Sequence, residues 1–72
     1  MHNEFTAVIE HQGDWFIATC PEIPEANGQG LTLEECRTSL SDAIALVLQD
    51  RREDALSHLS STAVRETVTV AA

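Results

Sequence analysis

Apolar and polar positions alternate along residues 5–10, with Phe5, Ala7 and Ile9 on one side and Thr6, Val8 and Glu10 on the other. A period of two predicts a β-strand. Residues 15–20, Trp15-Phe16-Ile17-Ala18-Thr19-Cys20, are rich in aromatic and β-favouring side chains and predict a second strand. The link His11-Gln12-Gly13-Asp14 carries a Gly-Asp turn signal, so the two strands should form an antiparallel hairpin. From Leu33 the period becomes helical. Cys36, Leu40, Ala43, Ile44, Val47 and Leu48 form one apolar stripe, while Glu34, Glu35, Arg37, Thr38, Ser41, Asp42 and Gln49 lie away from it. This helix is expected to end near Asp54. Residues 55–62 mix Leu56 and Leu59 with serines and His58, and read as a further helical turn or a loop over the core. Period two returns over 64–70, with Val64, Val68 and Val70 opposite Arg65, Thr67 and Thr69, which predicts a final strand.

Between strand and helix the chain is strongly punctuated. In Pro21-Glu22-Ile23-Pro24 each proline holds φ near −65° and pushes the residue before it towards extended geometry, so the second strand must stop there. Thr32 can accept from the Glu35 amide while the Glu35 carboxylate reaches back to Thr32, a capping box, with Leu31 and Cys36 placed for a hydrophobic staple. Within 25–30 the glycine-rich segment disfavours a strand, although a short third strand with a bulge at a glycine is compatible with it. Glu34 and Glu35 in the first helical turn, with Arg51 and Arg52 near the expected end, complement the helix macrodipole.

Together these elements predict an α+β fold, ββ(β)αβ, in which a small, mostly antiparallel sheet carries one helix on one face. One domain spans residues 1–72. The second sheet face would be lined by Phe16, Ala18 and Val8 or by Trp15, Ile17 and Phe5, depending on register, and one of these sets lacks a helix to cover it. A chain of 72 residues buries only roughly 60% of its unfolded surface. Extra buried area is therefore expected from self-association, as a dimer or tetramer.

Charge narrows the partners. Twelve acidic residues against four arginines, with no lysine, give a formal net charge of −8. Such a chain repels phosphate backbones, which argues against direct nucleic-acid binding and favours a basic partner. No apolar run approaches the ~18 residues of a membrane span, and Met1-His2-Asn3-Glu4 lacks the basic charge of a signal peptide, so a cytoplasmic protein without a membrane partner is expected.

Little in the chain points to chemistry. Cys20 and Cys36 lack metal-ligand spacing and read as small buried hydrophobes, and His2, His11 and His58 read as surface residues rather than zinc ligands. Glu34 and Glu35 are adjacent and point roughly 100° apart around a helix, so they cannot form a tight carboxylate pair. No serine lies in a nucleophile elbow, and Gly28-Gln29-Gly30 would hold a phosphate beside two repelling glutamates. The expectation is a binding protein with no catalytic residue, metal or cofactor. Trp15 suits either a partner anchor or the domain's own core, and Asp14, Glu22 and Glu25 are the candidates for an acidic recognition surface.

The order of elements, Pro21-Glu22-Ile23-Pro24, the spacing to Gly30 and Thr32, and the helix from Glu34-Glu35-Cys36 through Ala43-Ile44 resemble the HicB-like antitoxin domain over nearly the whole chain. The resemblance implies a truncated ribonuclease H-like fold without its catalytic residues, homo-oligomers, and an antitoxin that neutralises a small basic, mRNA-cleaving, HicA-like toxin. The chain departs from the family pattern at Glu25, where glycine is usual, at Cys36, where alanine is usual, and at Leu31, where a polar residue is usual. The family's C-terminal DNA-binding module has no counterpart within the 72 residues, so operator binding is not expected of this chain. The alternative is a stand-alone, self-assembling structural or regulatory protein with no toxin partner.

Overall fold

A two-residue loop closes the opening hairpin. Gln12 faces Trp15 across it, Gly13 has φ 59° and Asp14 does not take a positive φ, which defines a type II′ turn with its glycine at the first central position. The structure, a computed structural model, describes residues 4–71. It contains β1 (Val8–Gln12), β2 (Trp15–Thr19), β3 (Asn27–Gly30) and α1 (Leu33–Ser57). The sheet is antiparallel throughout in the order β1-β2-β3, and α1 packs on one face across β3 and β2. This is the α+β class expected from the sequence. The first strand is shorter than its pattern, since residues 5–7 precede the β1–β2 ladder.

The third strand, which the glycine-rich segment disfavoured, does form, in continuous register from Phe16↔Gly30 to Thr19↔Asn27 and without a bulge. Its glycines answer to the helix behind it. A Cβ on Gly28 would lie 2.5 Å from the Leu40 backbone nitrogen, and one on Gly30 would lie 2.6 Å from that of Cys36. Glycine therefore lets strand and helix backbones meet directly, at the expense of strand propensity. The Ser39 hydroxyl also accepts from the Gln29 amide at 3.2 Å, tying β3 to the second turn of the helix.

Two consecutive β-turns shape the proline segment. The Ile23 amide donates to the Cys20 carbonyl at 3.1 Å, and the Ala26 amide donates to the Ile23 carbonyl at 3.0 Å. Each turn has proline at its second position, and the absence of positive φ at Glu22 and Glu25 makes both type I rather than type II. Type I geometry accepts a side chain where type II would demand glycine, which accommodates Glu25. The three-residue spacing sends Cys20, Ile23 and Ala26 inward, where they join Ala18, Cys36, Leu40 and Ile44 in the core. Glu22 and Glu25 are left outside. Both cysteines are buried free thiols, as the sequence suggested, and the Cys36 thiol lies 3.4 Å from the Phe16 carbonyl.

The helix begins as predicted, with one change of partner. The Glu35 amide donates to the Thr32 hydroxyl at 3.0 Å, but the Glu35 carboxylate accepts from the Leu31 amide at 2.9 Å instead of returning to Thr32. Leu31 is 56% exposed while Cys36 is buried, so the expected staple is not closed. The helix continues to Ser57 rather than stopping near Asp54, because Ala55 and Leu56 sustain it. Arg51 and Arg52 consequently lie before the last turn, which holds no basic residue, and Arg51 instead forms an ion pair with Glu25.

The expected final strand over 64–70 is not formed: these residues join no ladder. A strand pattern needs an adjacent edge to become a strand. Here the chain turns at 60–63, where the Ala63 amide donates to the Ser60 carbonyl, and continues beside Arg52, Ala55 and Leu56, away from any of the sheet's edges.

Candidate functional site: the open sheet face

Residues opposite each other in an antiparallel ladder share a face. Ile9, His11, Phe16, Ala18, Gly28 and Gly30 therefore line the helix side, while Val8, Glu10, Gln12, Trp15, Ile17, Thr19, Asn27 and Gln29 line the other. Neither alternative set read from the sequence is realised whole. Phe16 and Ala18 go under the helix, Trp15 and Ile17 go to the open face with Val8, and Phe5 borders the helix side near Leu40 and Ile44. No element among the described residues covers the open face.

The open face has an apolar strip with acidic neighbours. Trp15 is 45% exposed and Val8 44%, with Ile17 half-buried between them on the central strand. Glu10 stands opposite Ile17, and Asp14 occupies the exposed turn next to Trp15. Trp15 is half exposed and stands apart from the core cluster, so burial in the domain's own core is not what the structure shows. Sequence reasoning did not single out Glu10 as a site residue. Its signal was present in the period-two pattern, which pairs Glu10 with Val8, but only the register brings it beside Ile17 and Trp15.

Glu22 and Glu25 are held by the domain itself. Both Glu22 carboxylate oxygens accept from the Thr6 amide at 3.1 Å, and one accepts from the Thr6 hydroxyl at 2.8 Å and the other from the Cys20 thiol at 3.4 Å. The Thr6 hydroxyl is the largest influence holding the Glu22 carboxyl below its ordinary 4.5. Glu25 is also shifted down, first by its own backbone amide and then by Arg51. These residues join the segment before β1, the proline turns and α1. The four sequence candidates thus divide: Asp14 and Trp15 neighbour the open face, whereas Glu22 and Glu25 belong to the loop beyond the ends of β2 and β3.

Chemical groups are sparse. His11 is exposed and stacks on Phe16 with ring centroids 4.5 Å apart, and His58 lies 3.8 Å from Asp54 at the helix end. His2 lies outside the described residues. No cluster of three metal-ligating side chains occurs among the described residues, and no helix there is long and apolar enough to cross a membrane.

A small two-layer α+β domain with one sheet face left open is the class these features define. The chain belongs to the UPF0150 family: it is similar to the UPF0150 protein ssl0738 of Synechocystis sp., 46% identical over 71 residues that cover 97% of this chain and 99% of that protein. No protein-family model matches the chain. No solved structure matches it either.

Proposed function

We propose that this protein is a HicB-like antitoxin-type binding module that neutralises a small basic, mRNA-cleaving, HicA-like toxin by protein contact. The observation that carries the proposal is the uncovered strip of Val8, Trp15 and Ile17, with Glu10 opposite Ile17 and Asp14 in the adjoining turn, on a chain of net charge −8. The motif resemblance supports it. Apolar area supplies affinity in such an arrangement, while the carboxylates steer a basic partner and set the association rate. Binding alone would inhibit the toxin, with no catalytic group, metal or cofactor supplied by this chain. The net negative charge of these 72 residues also disfavours their direct contact with nucleic acid.

Co-expression with a small basic HicA-like toxin, taken from beside this protein's gene where one is encoded, is the direct test. Growth should be rescued by the wild-type chain and lost with Trp15→Ala, whose side chain lies outside the core. The Glu10→Lys variant should slow association and flatten its salt dependence. Failure of the wild type to bind or rescue overturns the toxin reading. The second reading, a self-assembling protein with no toxin, is favoured by a different observation, the exposed valines of the 64–70 segment.

A further inference from the structure

The apolar strip of the open face continues past the end of β3. A Cβ on Gly30 would point at the Cys36 nitrogen, so Gly30 faces the helix, and strand alternation sends the next residue, Leu31, to the opposite side, where it is 56% exposed. Phe16 pairs with Gly30, which makes Trp15 and Leu31 neighbours one step further out. Ile17 sits at the centre of the face with Glu10 on its β1 side, and in the row beyond, Val8 lies on β1 and Asn27 on β3. The large apolar side chains therefore run along one diagonal, from Leu31 and Trp15 through Ile17 to Val8. Gln12 and Asn27 occupy the two corners off it. With rows about 6.8 Å apart and strands about 4.8 Å apart, this diagonal is about 17 Å long.

We propose that the diagonal seats a single amphipathic helix of a partner protein, about three turns long, with apolar residues at i, i+4, i+7 and i+11 and a Lys or Arg on the flank that meets Glu10. The proposal rests on the reading of the open face as a partner's seat, though not on that partner being a toxin. A sheet face differs from a sheet edge, because its backbone groups are already used in the ladders and an incoming element must satisfy its own. A helix does so internally. Three strands are wide enough for one, as α1 on the opposite face demonstrates. Eleven or twelve helical residues rise about 17 Å, the length of the diagonal.

Charge decides between a foreign helix and a second copy of this chain. Glu10 stands on the face and Asp14 in its turn, whereas the four arginines all lie on α1 or beside its far end. Two copies meeting here would set carboxylates together in an interface without a cation, which disfavours that pairing. The apolar side of α1 is already spent on β3 and β2, so the chain has no spare helix of its own to offer. A basic helix from another protein answers both the apolar diagonal and the carboxylates beside it.

Synthetic peptides of about 14 residues, lactam-bridged to hold them helical and free of tryptophan, test the seat on the intact protein. One carries leucines at i, i+4, i+7 and i+11 with arginines on both flanks, and the other has the same composition with its leucines scattered around the helix. Trp15 is the chain's sole tryptophan, so its emission reports binding at this face directly. The striped peptide should shift that emission to the blue and move the amide resonances of Val8, Ile17 and Leu31, and the scattered one should bind about tenfold more weakly. Leu31→Ser should weaken the striped peptide by about tenfold, and Gln12→Ser and Asn27→Ser by no more than about twofold. Glu10→Arg should weaken it by about tenfold and should instead favour a striped peptide whose arginines are replaced by glutamates. Equal binding of the two peptides, resonance changes that avoid the diagonal, or corner variants as damaging as Leu31→Ser overturn the proposal. Trp15 emission that shifts with protein concentration alone gives the face to a second copy and overturns it too. No toxin enters these measurements. A striped peptide that binds where growth rescue fails removes the antitoxin reading and leaves the helix seat, and the reverse outcome removes the seat alone.

Discussion

Replacing Gly28 with alanine tests whether direct backbone contact holds the two layers together. The added Cβ would lie 2.5 Å from the Leu40 nitrogen and 2.8 Å from its Cα, where ordinary contact begins at 3.4 Å. Strand and helix must then separate by about 0.9 Å at a point where neither neighbour is a flexible side-chain end. Overpacking of this kind costs about 1–3 kcal/mol, and the obstruction here is backbone, which favours the upper half of that range. Restricting the unfolded chain gives back about 0.4–1 kcal/mol, because φ at Gly28 is not positive and alanine can adopt it. The net loss is about 1–2.5 kcal/mol. At roughly 0.05–0.15 kcal/mol per residue a domain of this size holds only about 4–11 kcal/mol, so a sizeable share disappears. The melting temperature, read from helical circular dichroism at fixed protein concentration, should fall by about 5–20 °C. Gln29→Ala, next along β3 but on the open face, should remain within about 0.5 kcal/mol of the wild type. An unchanged or higher melting temperature for Gly28→Ala would refute the reasoning.

Two further outcomes follow from the polar contacts at the loop and helix start. Thr32→Ala leaves the Glu35 amide without its cap and should cost about 1 kcal/mol in urea unfolding, while Thr32→Ser should recover most of it. Because the folded carboxyl of Glu22 titrates below its ordinary 4.5, its contribution is complete above that value and is lost as pH falls through the lower, folded one. The Thr6 amide resonance should therefore move below pH 4.5 in step with Glu22, and Glu22→Gln should abolish that movement. A Thr6 signal that titrates unchanged in the variant would show that Glu22 does not hold this segment.

Much of the fold could be read in the residues because its signals are local. The Gly13-Asp14 turn, the two prolines and the Thr32 cap each act within a few positions, and the structure has a turn or a helix start at each. The third strand was harder to read, because Gly28 and Gly30 oppose strand propensity and their value lies in what approaches them from the helix. The 64–70 pattern misled for the opposite reason: alternation describes what a segment can pair with, and no partner edge lies beside it in its own chain. Arg51 looked like a macrodipole complement until the helix ran past it and Glu25 arrived across the fold. The candidate site divided along the same line. Trp15 and Asp14 follow from the hairpin, whereas the company they keep, Val8, Ile17 and Glu10, depends on a register that the turn alone determines.

The paired type I turns separate two tasks that usually compete within one loop. Positions 20, 23 and 26 are anchored inside, while 22 and 25 stand outside on the same short stretch. The outer carboxylates are not idle: Glu22 accepts from the Thr6 amide and hydroxyl and from the Cys20 thiol, tying an inner anchor to the segment before β1. Glu25 makes the matching tie on the other side, an ion pair to Arg51 of the helix. One short loop thus clasps both the segment that leads into the sheet and the later half of the helix.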